Sequence, residues 1–519
     1  VSPRREVGRF ASFVNPSSIS SRFGEVSLRP YQVQAIDNLQ AHTRQGTRRV
    51  LITAPTGAGK STIAGGVILS AFAEGQRALF IAHRRELILQ MYRRLLDMGL
   101  PAQDVGILMA SDPRRKPQAR VQVASIDTLR QRQLPPADLV FVDECHRAMA
   151  ATYRRIAAAY PQAVHVGLTA TPYRADGQGL RDAYDVIVPV ATPRQLIAEG
   201  YLVEPRVFTV PPASLPDLSG VRVRGGDYDE QALEEAVNRA SLVGSLVQHW
   251  MAHAQGIRTV VFAVSIAHSR HIVDCFLKAG IPSEHLDGGT PTAERDAILG
   301  RLERGETMVV GSVMTLCEGW DQPSVKCAIL ARPTKSTGLY LQQAGRILRP
   351  WNGLRAILLD HAGCVLEHGL PQDERPFSLD GAGKIDKKDL PKKPRVCPSC
   401  QAVVPLRVLC CPECKKPMPV VLEMPEETAG ELVEAAPEHP HRAVWDELCA
   451  TAAAKNYRRG WVYHAYKARF GCKPPKQFVV PPLPSDQDAA LFDLLRSSAR
   501  SGGHVSWAEI DKVYGRKSP

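Results

Sequence analysis

Short, wholly apolar runs alternate with helical patterns along the first two thirds of the chain. Between Arg49 and Pro172 the runs are VLITA, ALFIAH, VQVAS, LVFVDE and HVGLTA, and the intervening RELILQMYRRLLDMG spaces its apolar residues at i, i+3 and i+4. Runs apolar on both faces, joined by crossover helices, imply strands of a parallel sheet. A Pro- and Gly-rich passage at 211–226 breaks the rhythm. It then restarts with VVFAV, a helix through His271 to Leu277, MVVGSV, CAILAR and AILLD. The pattern predicts an α/β chain: an N-terminal extension (1–25), then two tandem domains with parallel sheets, 26–205 and 206–372. A polar, Lys-rich linker (373–394) leads to a cysteine cluster (395–418), a Glu-rich spacer (419–440) whose composition argues against a packed core, and a short, helical, aromatic module (441–519).

Composition adds a partner. At 519 residues and 44% hydrophobic, the chain is too long for one core. No apolar run of about 18 residues occurs, and the first residues lack the order of a secretory signal, so a cytoplasmic protein without a membrane partner is expected. Lys and Arg exceed Asp and Glu by 65 − 53 = 12, an excess that favours a polyanion such as nucleic acid, although an indifferent basic surface would look the same. The charge is uneven: 383–418 holds nine basic and three acidic residues, 420–440 six Glu without Lys or Arg, and 441–519 thirteen basic against seven acidic.

Three stretches carry candidate chemistry. In APTGAGKST, Ala54, Gly59, Lys60 and Ser61 fit the phosphate-loop pattern, with Ala in place of its first Gly. Backbone N–H groups across Thr56, Gly57, Ala58, Gly59, Lys60, Ser61 and Thr62 would face the phosphates of ATP, Lys60 would balance their charge, and Ser61 would bind Mg²⁺. In LVFVDECH, the tip of a strand expected beside the phosphate-loop strand, Asp143 would hold Mg²⁺ and Glu144 would take a proton from the attacking water. In YLQQAGRILRP, Gln342, Arg346 and Arg349 fall on one helical face, a fork suited to charge on a transferred phosphoryl group. Coming from the second domain, it would reach the nucleotide only on closure.

These stretches, in this order, resemble a superfamily 2 helicase of the DExH type, with two RecA-like domains clamping ATP; the resemblance spans about Val26 to Ala362. Beside LRPYQ it implies adenine reading by Gln32 and Arg29. IAHRREL and ASIDTL resemble strand-tracking motifs, and the resemblance implies nucleic-acid contacts by Arg84, Ser125, Thr128, Arg174 and Thr315. LTATP implies coupling of ATP to motion by Thr169 and Thr171, with His146 of DECH. VMTLCEGWDQPSV places Gly319 and Asp321 by the nucleotide. LTATPYRADGQG, LCEGWDQPSV and QQAGRILRP, followed by a cysteine module, look most like the RadD branch of bacterial and phage DNA-repair helicases. That implies a DNA-dependent ATP hydrolase in repair or recombination, acting as a monomer beside single-strand binding protein or a recombinase.

VCPSCQAVVPLRVLCCPECKK pairs Cys397 and Cys400 with Cys411 and Cys414 in two CPxC knuckles ten residues apart. Four thiolates suit a closed, structural Zn²⁺ site; a disulfide pair and an iron–sulfur cluster are the competing readings. Cys410 is spare. So small a ribbon is expected to need its metal to fold.

In NYRRGWVYHAYKARFGCKPPKQF, aromatic and basic residues interleave, as in a stacking platform for bases. Yet Trp461, Ala465 and Ala468 share one helical face, and Val462, Tyr466 and Phe470 an adjacent one, as a small helical core would have them. The expected activity is an ATP-driven helicase or translocase on DNA. An ATP-switched nucleic-acid clamp, the motor subunit of a restriction system and an RNA helicase are the alternatives.

Overall fold

The computed structural model describes residues 27–475 and Phe478, apart from 148–150, 173, 175, 212–213, 238–239, 382, 384, 386–389, 407, 420–440 and 456–458. Two compact units divide the chain at Val421 and Leu422.

The first unit holds two parallel sheets. The first lobe contributes β1 (Arg49–Thr53), β2 (Ala78–Ala82), β3 (Val105–Leu108), β4 (Val121–Ser125), β5 (Leu139–Asp143), β6 (Val164–Thr169) and β7 (Val186–Pro189), in the order β3-β4-β2-β5-β6-β1-β7. Residues of β2, β4 and β5 are buried at every position, which is why they read as uninterrupted apolar runs. One expectation is corrected by this order: β6 stands between β1 and β5, so Asp143 and Glu144 end the next strand but one from the phosphate loop. The inserted strand pairs with both and ends at Thr169.

The second lobe begins with β8 (Pro205–Thr209) and a small hairpin of β9 (Val223–Arg224) and β10 (Asp227–Tyr228). It continues with β11 (Thr259–Phe262), β12 (Ser283–Leu286), β13 (Val309–Ser312), β14 (Cys327–Leu330) and β15 (Ala356–Asp360). The sheet order is β12-β13-β11-β14-β15-β8, all pairs parallel.

Part of the expected linker is a strap that returns to the first lobe. The Leu180 and Arg181 N–H groups donate to the Leu379 carbonyl at 2.8 and 3.0 Å, Arg181 makes a two-point pair with Asp380 at 3.0 and 3.1 Å, and Leu379 is buried in the first-lobe core. Arg194 reaches Asp373 at 3.1 Å.

The cysteine module is also joined to its neighbour. Its strands β16 (Arg395–Val396) and β17 (Val403–Val404) pair antiparallel, Ala402 bridges to Phe208 of β8, and Cys397, Ala402, Val404, Cys411 and Met418 share one apolar cluster with Trp250, Val261 and Ile329. Glu413, inside the second knuckle, is held by Arg206 at 2.7 Å and Arg355 at 3.0 Å. The ribbon therefore borrows the core it lacks.

The second unit, taken by itself, is a helical hairpin of Arg442–Ala454 and Arg459–Phe470. Trp445, Cys449, Ala452, Val462, Tyr466 and Phe478 form its core. Of the two faces read from the sequence, the one with Val462 and Tyr466 is buried and Ala468 is exposed. The aromatic residues are mainly core rather than an open platform; Tyr463 is the large one left 45% exposed. Tyr457 lies outside the described residues.

Candidate active site

The phosphate loop follows β1 because two glycines take conformations closed to other residues: Gly57 and Gly59 have φ of +90° and +84°. Gly59 caps the helix Lys60–Ala73, whose first turn, Lys60, Ser61 and Thr62, lines the cleft. Thr56, Gly57, Gly59, Lys60, Ser61 and Thr62 line a cavity of about 420 Å³, within the range of roughly 300–1,000 Å³ common to small-ligand sites. Ala58 lies behind it, its carbonyl accepting from Tyr31 Oη at 3.0 Å and Gln32 Nε2 at 3.1 Å. Gln32 and Arg29 line the same cavity, and the Arg29 guanidinium lies 4.5 Å from the centroid of the Tyr201 ring.

Asp143 and Glu144 also line this cavity. Glu144 stands at φ +48°, a left-handed conformation that a non-glycine residue adopts only where its surroundings hold it. Its carboxylate meets Lys60 Nζ at 3.3 Å, Gln342 Nε2 at 3.3 Å and His146 Nδ1 at 3.4 Å. Burial pushes the Asp143 carboxyl up to about 7, helped by the charge of Glu144. Burial opposes ionisation of Glu144 too, but Lys60 and His146 outweigh it and hold that carboxyl well below the usual range. The pair is thus split by environment: Glu144 is held ionised and Asp143 is pushed toward its neutral form.

From the second lobe come Gln342, Arg346 and Arg349. The helix Thr337–Gly345 approaches the phosphate loop so closely that a Cβ at Gly345 would stand 2.4 Å from Thr56 Cβ. Arg346 and Arg349 line the same cavity as Lys60, with Gly319 and Asp321 beside them. Arg346 donates to the carbonyls of Cys317 and Trp320, and Arg349 pairs with Asp321. Burial, then the nearby charges of Arg94 and Arg29, pull the Arg349 guanidinium down to about 10. Cations crowded until they repel one another suit a polyanionic guest.

Further pairs tie the lobes together. Glu318 accepts from His83 at 2.6 Å and from Arg84 at 2.9 Å, and Glu86 meets Arg295 at 2.5 Å. Burial disfavours the Glu318 charge, yet His83 and Arg84 bring it down to about 2. Arg84 also reaches the Thr315 carbonyl at 3.4 Å, so these two expected nucleic-acid residues are adjacent. His146, Thr171 and Arg174 line a second interlobe cavity of about 330 Å³ with Glu318 and Gln342. Thr169 is fully buried and ties to Thr171, its hydroxyl donating to the Thr171 carbonyl at 2.8 Å. Ser125 and Thr128 line neither cavity; Thr128 Oγ1 accepts from the Ala110 N–H at 3.0 Å.

Arg94, Tyr201 and Glu318 escaped the sequence reading. Arg94 was hidden in an amphipathic repeat whose polar face reads as solvated, and Tyr201 follows a turn glycine far from any motif. For Glu318 the signal was a second carboxylate three residues before Asp321 in the same stretch.

The four cysteine sulfurs lie within 4.8 Å of one another. Cys397 and Cys414 are 3.7 Å apart, as are Cys400 and Cys411. A tetrahedron with metal–sulfur bonds of about 2.3 Å has edges of roughly 3.8 Å, whereas a disulfide needs about 2.05 Å. The donor set fits a tetrahedral metal, and all twelve cysteines are free thiols.

Fold and cleft together define a nucleotide hydrolase built from two RecA-like lobes. The family model for the type III restriction enzyme res subunit matches residues 25–174, and that for the helicase conserved C-terminal domain matches residues 241–350. A 51.5 kDa protein of a Lactococcus phage is 32% identical over 367 residues, covering 70% of this chain and 77% of its own length. IRC3 of Saccharomyces cerevisiae is 31% identical across 62% of this chain, which spans only 49% of that protein. The ATP-dependent type ISP restriction-modification enzyme LlaBIII shares the fold at a TM-score of 0.50 and 19% identity, over 66% of this chain and 28% of that one. The chain belongs to the superfamily 2 helicases, ATP-hydrolysing enzymes of helicase type that act on nucleic acid. The matches lie with restriction-enzyme subunits and superfamily 2 helicases generally rather than with the RadD branch. No helix among the described residues is long and apolar enough to cross a membrane.

Proposed function

We propose that the chain is an ATP-driven motor that translocates along DNA, of the kind that powers restriction complexes. The observation that carries the motor reading is the shared cleft, in which Glu144 of one lobe is held at once by Lys60 and by Gln342 of the other. The restriction setting is supported by the res-subunit model over most of the first lobe. In this reading Lys60 neutralises the terminal phosphates and Gln32, Arg29 and Tyr201 receive the adenine. Ser61 and Asp143 would hold Mg²⁺, which would supply charge neutralisation. Glu144 accepts the proton of the attacking water, and Arg346 and Arg349 stabilise the transferring phosphoryl group. Lobe closure is then required for turnover, and hydrolysis releases it. Arg84 and Thr315 meet the DNA backbone, where a phosphate competes with Glu318 for Arg84.

The test is ATP turnover titrated with duplex, single-stranded and forked DNA and with RNA. Duplex DNA is expected to stimulate most, with the stimulation shrinking steeply as salt rises. Turnover indifferent to DNA would reduce the motor to a nucleotide-switched clamp. A repair role of the RadD kind is the second reading, favoured by the cysteine module directly behind the motor. Stronger stimulation by single strands coated with single-strand binding protein than by duplex would select it.

We assign Zn²⁺ to the cysteine quartet. Chelation is expected to release one zinc per chain and to unfold 395–418 without loss of ATP binding, read by metal analysis and fluorescent-nucleotide titration. Because Cys397, Cys411 and Met418 share a core with the second lobe, the same treatment should lower the melting temperature of that lobe. Iron in place of zinc would overturn the assignment.

A further inference from the structure

Lys326, the residue before β14, is fully buried. Its backbone is fixed within the second-lobe sheet: its N–H donates to the Arg258 carbonyl at 3.1 Å, and its carbonyl accepts from Ile357 at 2.8 Å. Its side chain makes two contacts, Nζ to the Ile347 carbonyl and Nζ to the Arg349 carbonyl, each at 2.6 Å. Burial pulls the ammonium down to about 8. Among the described residues no carboxylate pairs with it, so this cation is retained against a desolvation cost.

What those contacts hold is the segment that presents the arginines. The helix Thr337–Gly345 ends at Gly345, and Arg346, Ile347 and Leu348 continue as tight turns back to Gln343, Ala344 and Gly345. Three successive carbonyls then leave the helix pattern. Lys326 takes those of Ile347 and Arg349, and the Val203 N–H takes that of Leu348 at 2.8 Å. A cation is also favoured at the carbonyl end of a helix. Buried carbonyls need donors, and a single Nζ supplies two of the three.

We infer that Lys326 is a positioning residue for ATP hydrolysis, bracing the Arg346–Arg349 segment from within the second-lobe sheet so that Arg349 is held against the phosphate loop. The inference rests on the finger role of Arg349 and names the device that sets its place. Lys326 lies outside the cavity lining and so acts through that segment. Misplacement of a reacting group by about 1 Å costs on the order of 100-fold in rate, which sets the expected size of the effect.

The experiment is steady-state ATP hydrolysis by full-length Lys326→Met, Lys326→Gln, Arg349→Ala and the Lys326→Met/Arg349→Ala double variant, with fluorescent-ATP binding as the check on folding. Lys326→Met is expected to lower kcat about 100-fold while KM and nucleotide affinity stay within about twofold. Lys326→Gln, which keeps a donor and sheds the charge, falls between, and carries the test if Met costs the fold. The double variant is expected to be no slower than Arg349→Ala alone, since residues acting through one group do not add. If the losses multiply, or if Lys326→Met or Lys326→Gln turns over at the wild-type rate while Arg349→Ala is crippled, the brace is wrong and the finger stands. Arg349→Ala at the wild-type rate overturns both.

Discussion

Glu144→Gln is expected to stop ATP turnover, with kcat down by about 10³-fold or more, while the protein still binds ATP as tightly as the parent or more so. General-base catalysis is worth roughly 10² to 10⁴, and Glu144 is the ionised carboxylate on the cavity wall, kept so by Lys60 and His146. Glutamine preserves the shape and can still face Lys60 and Gln342, so the cleft should not collapse. The gain in affinity has a separate cause. Lys60 Nζ now lies 3.3 Å from Glu144 Oε1, a carboxylate that competes with the γ-phosphate for the same ammonium. Removing that charge frees Lys60 and also removes the repulsion that adds to burial in pushing Asp143 up. Single-turnover hydrolysis and equilibrium titration with a fluorescent ATP analogue separate the two effects. Hydrolysis at the parental rate would refute the general-base role, and loss of binding would mean that Glu144 builds the pocket instead.

Strands and loops that are set locally were legible in the sequence. The apolar runs became β1, β2, β4, β5 and β6 because burial on both faces leaves an uninterrupted signature, and the phosphate loop was marked by glycines that its backbone requires. What depends on distant chain segments left no such mark. Sheet order put β6 between β1 and β5, a fact about pairing that no single run encodes. Lys326 reads as one polar letter before an apolar strand, and only the packed structure shows two carbonyls converging on it. Likewise Leu379 and Asp380 sit in a polar stretch that reads as a linker, yet Leu180 and Arg181 of the first lobe hold them. The C-terminal aromatic residues left two readings open; helical phase marked two adjacent faces without choosing between them, and burial selects the one with Val462 and Tyr466.

Arg349→Ala should slow hydrolysis by about 10³-fold, the lower end of the roughly 10³ to 10⁵ attributed to an arginine finger, with ATP affinity little changed. The geometry separates the two quantities. Arg349 lies against the phosphate loop, its Cγ 3.7 Å from where a Cβ on Gly57 would stand, so in the proposed role its charge would meet the phosphoryl group as negative charge spreads over it. Ground-state attraction for ATP does not depend on Arg349 alone, because Lys60, Arg29 and Arg94 line the same cavity. Burial, and after it the charges of Arg94 and Arg29, lower the Arg349 guanidinium to about 10; removing Arg349 relieves that repulsion even as one attraction is lost. Asp321, its present partner, is left facing the cavity and should trim affinity slightly. Arg349→Lys is expected to restore little, since an ammonium lacks the planar fork that spans two phosphoryl oxygens. Parallel measurement of kcat, KM and nucleotide binding decides the matter: a loss confined to binding would make Arg349 a clamp on the substrate, and a loss confined to kcat makes turnover a readout of whether the second lobe has closed on the first.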